Sequence, residues 1–241
     1  MFDTLHKKHF DILTLHHADA IIRHDLSVAA KELESVLAAF KITVEELAKG
    51  GGGESDITQR LRASLSQLGW SKTTFTITKT INGRTSSSVT HEIDHVRVLD
   101  AGTIALEIEW NNKDPFFDRD LENFKRLHGE GAISVGVIIT RGESLQDSLR
   151  TLVEQYAKKH KLRSIEDLAS LYTPTPRQKQ AIAAATASQG GFEAGWAKVF
   201  VSDKFGEATT HWRKLRDRVD RGVGNPCPLI LIGIPKETVR S

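Results

Sequence analysis

The sequence predicts an α/β fold in which a mixed central sheet is flanked by helices, and three observations predict it. Two segments rich in threonine, valine and isoleucine, "KTTFTITKT" and "SSSVTHEIDHVRVLD", flank an Asn-Gly pair and so form a hairpin. Charged stretches such as "DPFFDRDLENFKRLH" carry their apolar residues at helical spacing. The runs "AISVGVIIT" and Leu229 to Ile234 are unbroken apolar segments suited to strands covered on both faces.

In chain order, the first fifty residues read as helix, with Ile12, Leu15, Ile22, Leu26, Leu33, Val36 and Leu37 at roughly helical intervals. "KGGGGESD" then breaks the pattern. It lacks the Gly-Lys-Ser/Thr of a phosphate-binding loop, so its four glycines read as a connector. That break separates an N-terminal helical segment, residues 1–49, packed on residues 50–241, the whole forming one structural domain.

"ESDITQRLRASLSQLG" is a helix with Ile57, Leu61, Leu65 and Leu68 on one side, Ser55 or Asp56 as cap and Gly69 as left-handed stop. The hairpin turns at "INGRT", and "TIALEIEW" is a third strand. The next helix has Pro115 near its first turn and Phe117, Leu121, Phe124 and Leu127 along one face. "SLQDSLRTLVEQYAKKH" adds a helix, and "LYTPTPRQKQAIAAATASQGGFEAGW" reads as a loop, a short Ala-rich helix and a loop. The tail is helix, Gly/Pro turn and buried strand.

With 39% hydrophobic residues among 241, the chain can bury a sizeable core. Its 33 basic and 31 acidic residues nearly cancel to +2, so attraction for a polyanion has to come from local patches. The single cysteine, Cys227, excludes an internal disulfide or multi-cysteine metal site and suits a reducing cytosol; beside two prolines it reads as a packed residue. "MFDTLHKKHFDILTLHHAD" interleaves charge with apolar residues and is no signal-peptide core, and no run reaches membrane-span length. The ten histidines, including His6, His9, His16 and His17, match no zinc motif.

The acidic residues are the chemically informative ones. Along "TIALEIEW", Ile104, Leu106, Ile108 and Trp110 line one side and Thr103, Ala105, Glu107 and Glu109 the other. Two carboxylates about 7 Å apart along a strand can serve one site, or can simply be a solvated face. In "HEIDHVRV", Asp94 shares its side with Val96 and Val98 if the strand is regular. A carboxylate there needs compensation, from Arg97 or a histidine, or from a divalent cation shared with Glu107.

Asp94, the pair Glu107 and Glu109, and the order helix, three strands, helix, strand look like the core of the PD-(D/E)XK nucleases. The longer strings "EIDHV", "EIEWNNKDPFFDRDLENFKRLH", "GAISVGVIITRG" and "THWRKL...RGVGNPCPLILIGI" resemble the BglII-like type II restriction endonucleases, from about Gly50 to the C-terminus. The resemblance implies a restriction-endonuclease-like α/β core and a homodimeric enzyme. Such an enzyme is cytoplasmic and prokaryotic, is accompanied by a cognate DNA methyltransferase, and cuts both strands of a short palindromic site. It also implies Mg2+, one or two ions per active site with Mn2+ substituting, held by Asp94, Glu107 and Ile108.

Most of the superfamily has lysine where this chain has Glu109. Lys113 is four residues further on, about 13 Å along a strand, and does not replace it. Glu109 instead resembles the acidic variant of BamHI-like enzymes, as metal ligand or as base for the attacking water. Glu54 is a further catalytic candidate, because some members place an acid on that helix; helix-dipole stabilisation explains it equally well.

For DNA contact, Lys214, Arg218 and Arg221 form a cationic row without matching acids on their own helix, whereas Arg213 with Asp217 and Arg216 with Asp220 are spaced to pair. Trp212, Leu215 and Val219 form that helix's buried stripe. Lys204, Thr209, Thr210 and His211, in the loop before it, are suited to base edges, with capping as the plain alternative. Lys113 and the hairpin's Arg84 are candidate groove or phosphate contacts. A repair-type nuclease without sequence preference and a non-catalytic DNA-binding protein of the same fold are the rivals, separable by whether DNA is cut into discrete bands, degraded or left intact.

Overall fold

A computed structural model describes residues 2–50 and 55–240. In chain order the elements are α1 (Asp3–Lys7), β1 (Asp11–Leu15), α2 (Ala18–His24), α3 (Ser27–Ala39), β2 (Ile42–Thr43), α4 (Val44–Ala48) and α5 (Asp56–Ser66). The hairpin β3 (Ser71–Ile81) and β4 (Arg84–Leu99), then β5 (Gly102–Glu109), α6 (Phe116–Gly129), β6 (Val135–Arg141) and α7 (Glu143–Lys159) follow. The chain continues through α8 (Pro176–Gln189), α9 (Phe192–Phe205), α10 (Trp212–Asp220), β7 (Leu229–Ile234) and β8 (Val239–Arg240).

Six strands form a mixed sheet ordered β1-β7-β6-β5-β4-β3, in which β5, β6 and β7 are parallel and the others antiparallel to their neighbours. Every residue of β6 and β7 is buried, as doubly covered strands require. One face packs Ile104, Leu106, Ile108, Val137 and Ile232 under α3, α5, α7 and α9. The other packs Ala105, Ile138, Leu229 and Leu231 under α6 and α10.

Helix α6 sits close to the sheet because Gly136 leaves room for it: a Cβ there would lie 2.5 Å from the ring of Phe124. The hairpin turns through Asn82 at φ 49° and Gly83 at φ 77°, left-handed values that an Asn-Gly pair adopts readily. Residues 78–90 are exposed throughout, so the hairpin tip projects beyond the covered sheet.

Three expectations need correction. "DILTL" is not helical: Leu13 pairs with Leu231 and β1 becomes an antiparallel edge strand, so residues 1–49 contribute to the main sheet. "FEAGW" is not loop but the start of the fourteen-residue α9, whose Trp196, Ala197 and Phe200 are buried. The strand holding Asp94 is irregular. Ser71 pairs with Val96 but Thr73 with Ile93, which leaves Asp94 and His95 at a bulge; Ile93, His95 and Val96 are buried and Val98 is exposed.

Candidate active site

Strand β5 ends its buried course with Glu107 and Glu109 on the face opposite Leu106 and Ile108. Both acids are buried, 5% and 3% exposed, which rules out a solvated face. The bulge in β4 brings Asp94 beside them, its main-chain N–H donating a long 3.4 Å hydrogen bond to Glu107 Oε1. The Asp94 carboxylate is half-exposed and lies 3.8 Å from Arg62 Nη2 and 3.9 Å from Lys72 Nζ. Arg97, one of the alternatives for compensating Asp94, pairs instead with Glu32, which also accepts from Trp70 Nε1.

A fourth acid, Asp120, comes from α6 and is 1% exposed. It shares the buried stripe with Phe117, three residues before it, and Phe124, four after it, and that spacing was the available sequence signal. Burial of Phe117, Leu121, Phe124 and Leu127 at ~1.5–3 kcal/mol each holds the helix down and outweighs the several kcal/mol cost of the acid. Arg119 Nη2 lies 2.8 Å from Asp120 Oδ1 and 3.5 Å from Glu109 Oε1, while its guanidinium stacks 4.4 Å from the Phe116 ring. Asn112 Nδ2 donates to Glu109 Oε2 at 2.8 Å.

These carboxyl groups resist ionisation together. Burial, then the charges of Asp120 and Asp94, pushes Glu107 up to about 9. Burial, then Asp120, pushes Glu109 up to about 8, against the hydrogen bond from Asn112. Asp120 is itself raised, by burial first, with Arg119 and a hydrogen bond shared with the Glu109 carboxyl opposing. Such a group of hard oxygen donors gains its full charge when a divalent cation offsets the repulsion.

Among the described residues no three His, Cys, Asp or Glu side chains are already disposed around an ion. The donor chemistry nevertheless fits one: Asp120 Oδ2 is buried with no N–H donor, and Asp94, Ile108 and Glu109 line a 410 Å³ cavity together with Arg62 and Arg119. From Ile108 only the main-chain carbonyl could serve as a ligand. Glu54 lies outside the described residues.

The DNA-contact candidates fare unevenly. Lys214, Arg218 and Arg221 are not a row of cations without matching acids. Lys214 and Arg218 meet Asp114 at 3.8 and 2.9 Å, Arg218 also meets Asp118, and Arg221 pairs with Asp217 at 2.6 Å. The acids come from the residues leading into α6, from α6 and from α10 itself, and Arg218 is buried. Arg216 pairs with Asp220 as spaced, but Arg213 turns to Asp147 and Glu143 rather than to Asp217.

Lys204 belongs to α9; its ammonium donates to the carbonyls of Leu47 and Lys49 and lies over the Phe200 and Phe205 rings. Thr210 and His211 are fully buried, and Thr209 Oγ1 accepts from the buried Arg141. Lys113 is exposed beside an 840 Å³ cavity that also includes Lys204 and Thr209, and Arg84 is exposed at the hairpin tip. That larger cavity has Asp203 as its sole acid among the lining residues, so the 410 Å³ cavity is the one with the chemistry. Cys227 is buried, its thiol pushed up to about 12 by that burial, as befits a packed residue.

A protein-family model described as restriction endonuclease BglII/BglIII matches residues 10–234. No curated protein matches the chain.

Proposed function

Starting from the chain's membership of the BglII/BglIII restriction endonuclease family, which makes it a type II site-specific deoxyribonuclease, we propose that it hydrolyses phosphodiester bonds in both strands of a short palindromic DNA site. The observation that carries the site assignment is the convergence of Asp94, Glu107 and Glu109 from adjacent strands β4 and β5, with two of the three buried.

Asp94, Glu107 and the Ile108 carbonyl would hold Mg2+, one or two ions per site, with Mn2+ as a substitute. The ion supplies a Lewis acid for the phosphoryl oxygens and lowers the pKa of water. Glu109, oriented through Oε2 by Asn112, takes the proton of the attacking water. In-line attack forms a P–O bond to the water oxygen as the P–O3′ bond breaks, and the departing O3′ takes a proton from solvent, leaving a 5′-phosphate and a 3′-hydroxyl. Arg62, Lys72 and Arg119 surround the acids with cationic groups that can meet the scissile and flanking phosphates. Lys113 and Arg84 are exposed and add phosphate or groove contacts.

A two-fold dimer would present one such site to each strand of a palindrome. A DNA methyltransferase of the same specificity would protect the host, which places the pair in a prokaryotic cytoplasm. No helix among the described residues is long and apolar enough to cross a membrane.

Plasmid digestion with Mg2+, followed by sequencing of the fragment ends, tests the reading. Discrete bands whose ends share one palindromic sequence and carry 5′-phosphates are expected. Sequence-independent degradation would favour a repair-type nuclease. Intact DNA with either Mg2+ or Mn2+ would favour a binding protein that has lost catalysis.

A further inference from the structure

We propose that Asp120 is the helix-borne carboxylate of the metal centre and that Arg119 is the counter-ion which a divalent cation displaces from it. This rests on the metal-dependent reading above and extends it to two residues of α6.

Asp120 occupies a position that packing alone would give to an apolar residue. It lies between Phe117, Leu121 and Phe124 on the buried face of α6, is 1% exposed, and offers Oδ2 to no N–H donor, the neighbouring carboxyl of Glu109 being the group that shares a proton with it. Leaving a buried carboxylate oxygen without such a donor costs free energy that leucine or alanine would not incur. Beyond Arg119, its charge bears on the groups of the proposed reaction: Asp120 is the strongest neighbouring charge acting on both Glu107 and Glu109. Its placement therefore has a chemical rather than a packing explanation.

Arg119 has the opposite character. Nε and Nη2 both reach Asp120 Oδ1 at 2.8 Å, and Nη2 lies 3.5 Å from Glu109 Oε1, so one guanidinium bridges two acids of the cluster. Yet the side chain is 54% exposed and rests on the Phe116 ring at the protein surface. It can leave the acids without unpacking the core. A guanidinium and a divalent cation draw on the same negative charge and repel each other, so each weakens the other's hold on these carboxylates. Once released, Arg119 remains on the wall of the 410 Å³ cavity, where a DNA phosphate can take over its charge.

The test is calorimetric titration of the full-length, DNA-free protein with Ca2+, comparing wild type with Asp120→Asn and Arg119→Gln. Asp120→Asn keeps the size of the side chain and should weaken Ca2+ binding roughly 10–100-fold, the range seen when a supporting partner of a metal site is lost. Arg119→Gln should tighten it about fivefold, the scale of a half-exposed ion pair near 1 kcal/mol, and should lower the metal-free Tm. Ca2+ affinity within about twofold of wild type in Asp120→Asn would overturn the role of Asp120. Unchanged or weaker binding in Arg119→Gln would overturn the role of Arg119.

Far-UV circular dichroism checks that Asp120→Asn folds. If it does not, Asp120→Glu serves in its place: retained Ca2+ binding supports the carboxylate role, and loss of binding in that folded variant overturns it. Wild-type protein that takes up no Ca2+ would instead defeat the metal-dependent reading itself, an outcome distinct from either variant's failure.

Discussion

Replacing Glu107 with glutamine should stabilise the metal-free protein, and by an amount that grows with pH. In the folded chain Glu107 keeps its proton up to about 9, whereas the ordinary value is 4.5. Below pH 4.5 both folded and unfolded chains hold the proton and the group favours neither. Above it the unfolded chain releases a proton that the folded one retains. Stability therefore falls by up to ~1.4 kcal/mol per pH unit until the folded group also ionises near 9.

At pH 8 the cost approaches ~5 kcal/mol as an upper figure. Glutamine resembles the protonated carboxyl, keeps an oxygen to accept from the Asp94 N–H, and never ionises. Urea denaturation in EDTA should show the two proteins alike near pH 4.5 and the Glu107→Gln variant ahead by at least ~2 kcal/mol at pH 8, about 4–8 °C in Tm for a domain of this size. Equal stability at pH 8 would refute the reasoning, because it would mean that Glu107 is comfortably ionised without a cation.

Gly136→Ala should cost ~1–3 kcal/mol, since its new methyl meets the fully buried Phe124 ring; cleavage should fall with it as α6 shifts away from β5, measurable by denaturation and plasmid digestion. Arg141→Ala should cost ~3 kcal/mol or more. Its buried guanidinium donates to the Trp110 carbonyl, Gln146 and Thr209, and urea melts would show the loss. Arg221→Ala should leave the salt dependence of DNA binding unchanged, because Asp217 already neutralises the arginine, whereas Lys113→Ala should reduce the slope by about one. Filter binding across a salt series checks both.

How far the sequence revealed this arrangement depended on how local each feature is. The hairpin turn, the stripe of α6 and the buried runs of β6 and β7 are written in neighbouring residues, and the structure contains them. Glu107 and Glu109 share a face because strand geometry leaves no choice. Strand β1 was hidden because its identity comes from β7, more than two hundred residues away, and five residues with apolar and polar positions mixed suit helix as well. Helix α9 was hidden because glycine and scattered aromatics obscure its period, while packing against neighbouring helices fixes it.

The lost cationic row shows the same limit in charge. Asp114 and Asp118, about a hundred positions earlier in sequence, neutralise Lys214 and Arg218 only after folding. Asp120 was legible in principle, as an acid set inside an apolar stripe. The bulge that aims Asp94 was not, because no residue pattern marks it.

The most direct test of the proposed centre is the Glu107→Ala variant, assayed side by side for plasmid cleavage in Mg2+ and for DNA binding in Ca2+. Cutting should disappear while a complex with DNA survives. Cleavage at the wild-type rate would contradict the assignment of the β4–β5 acids as the place where the phosphodiester bond is broken.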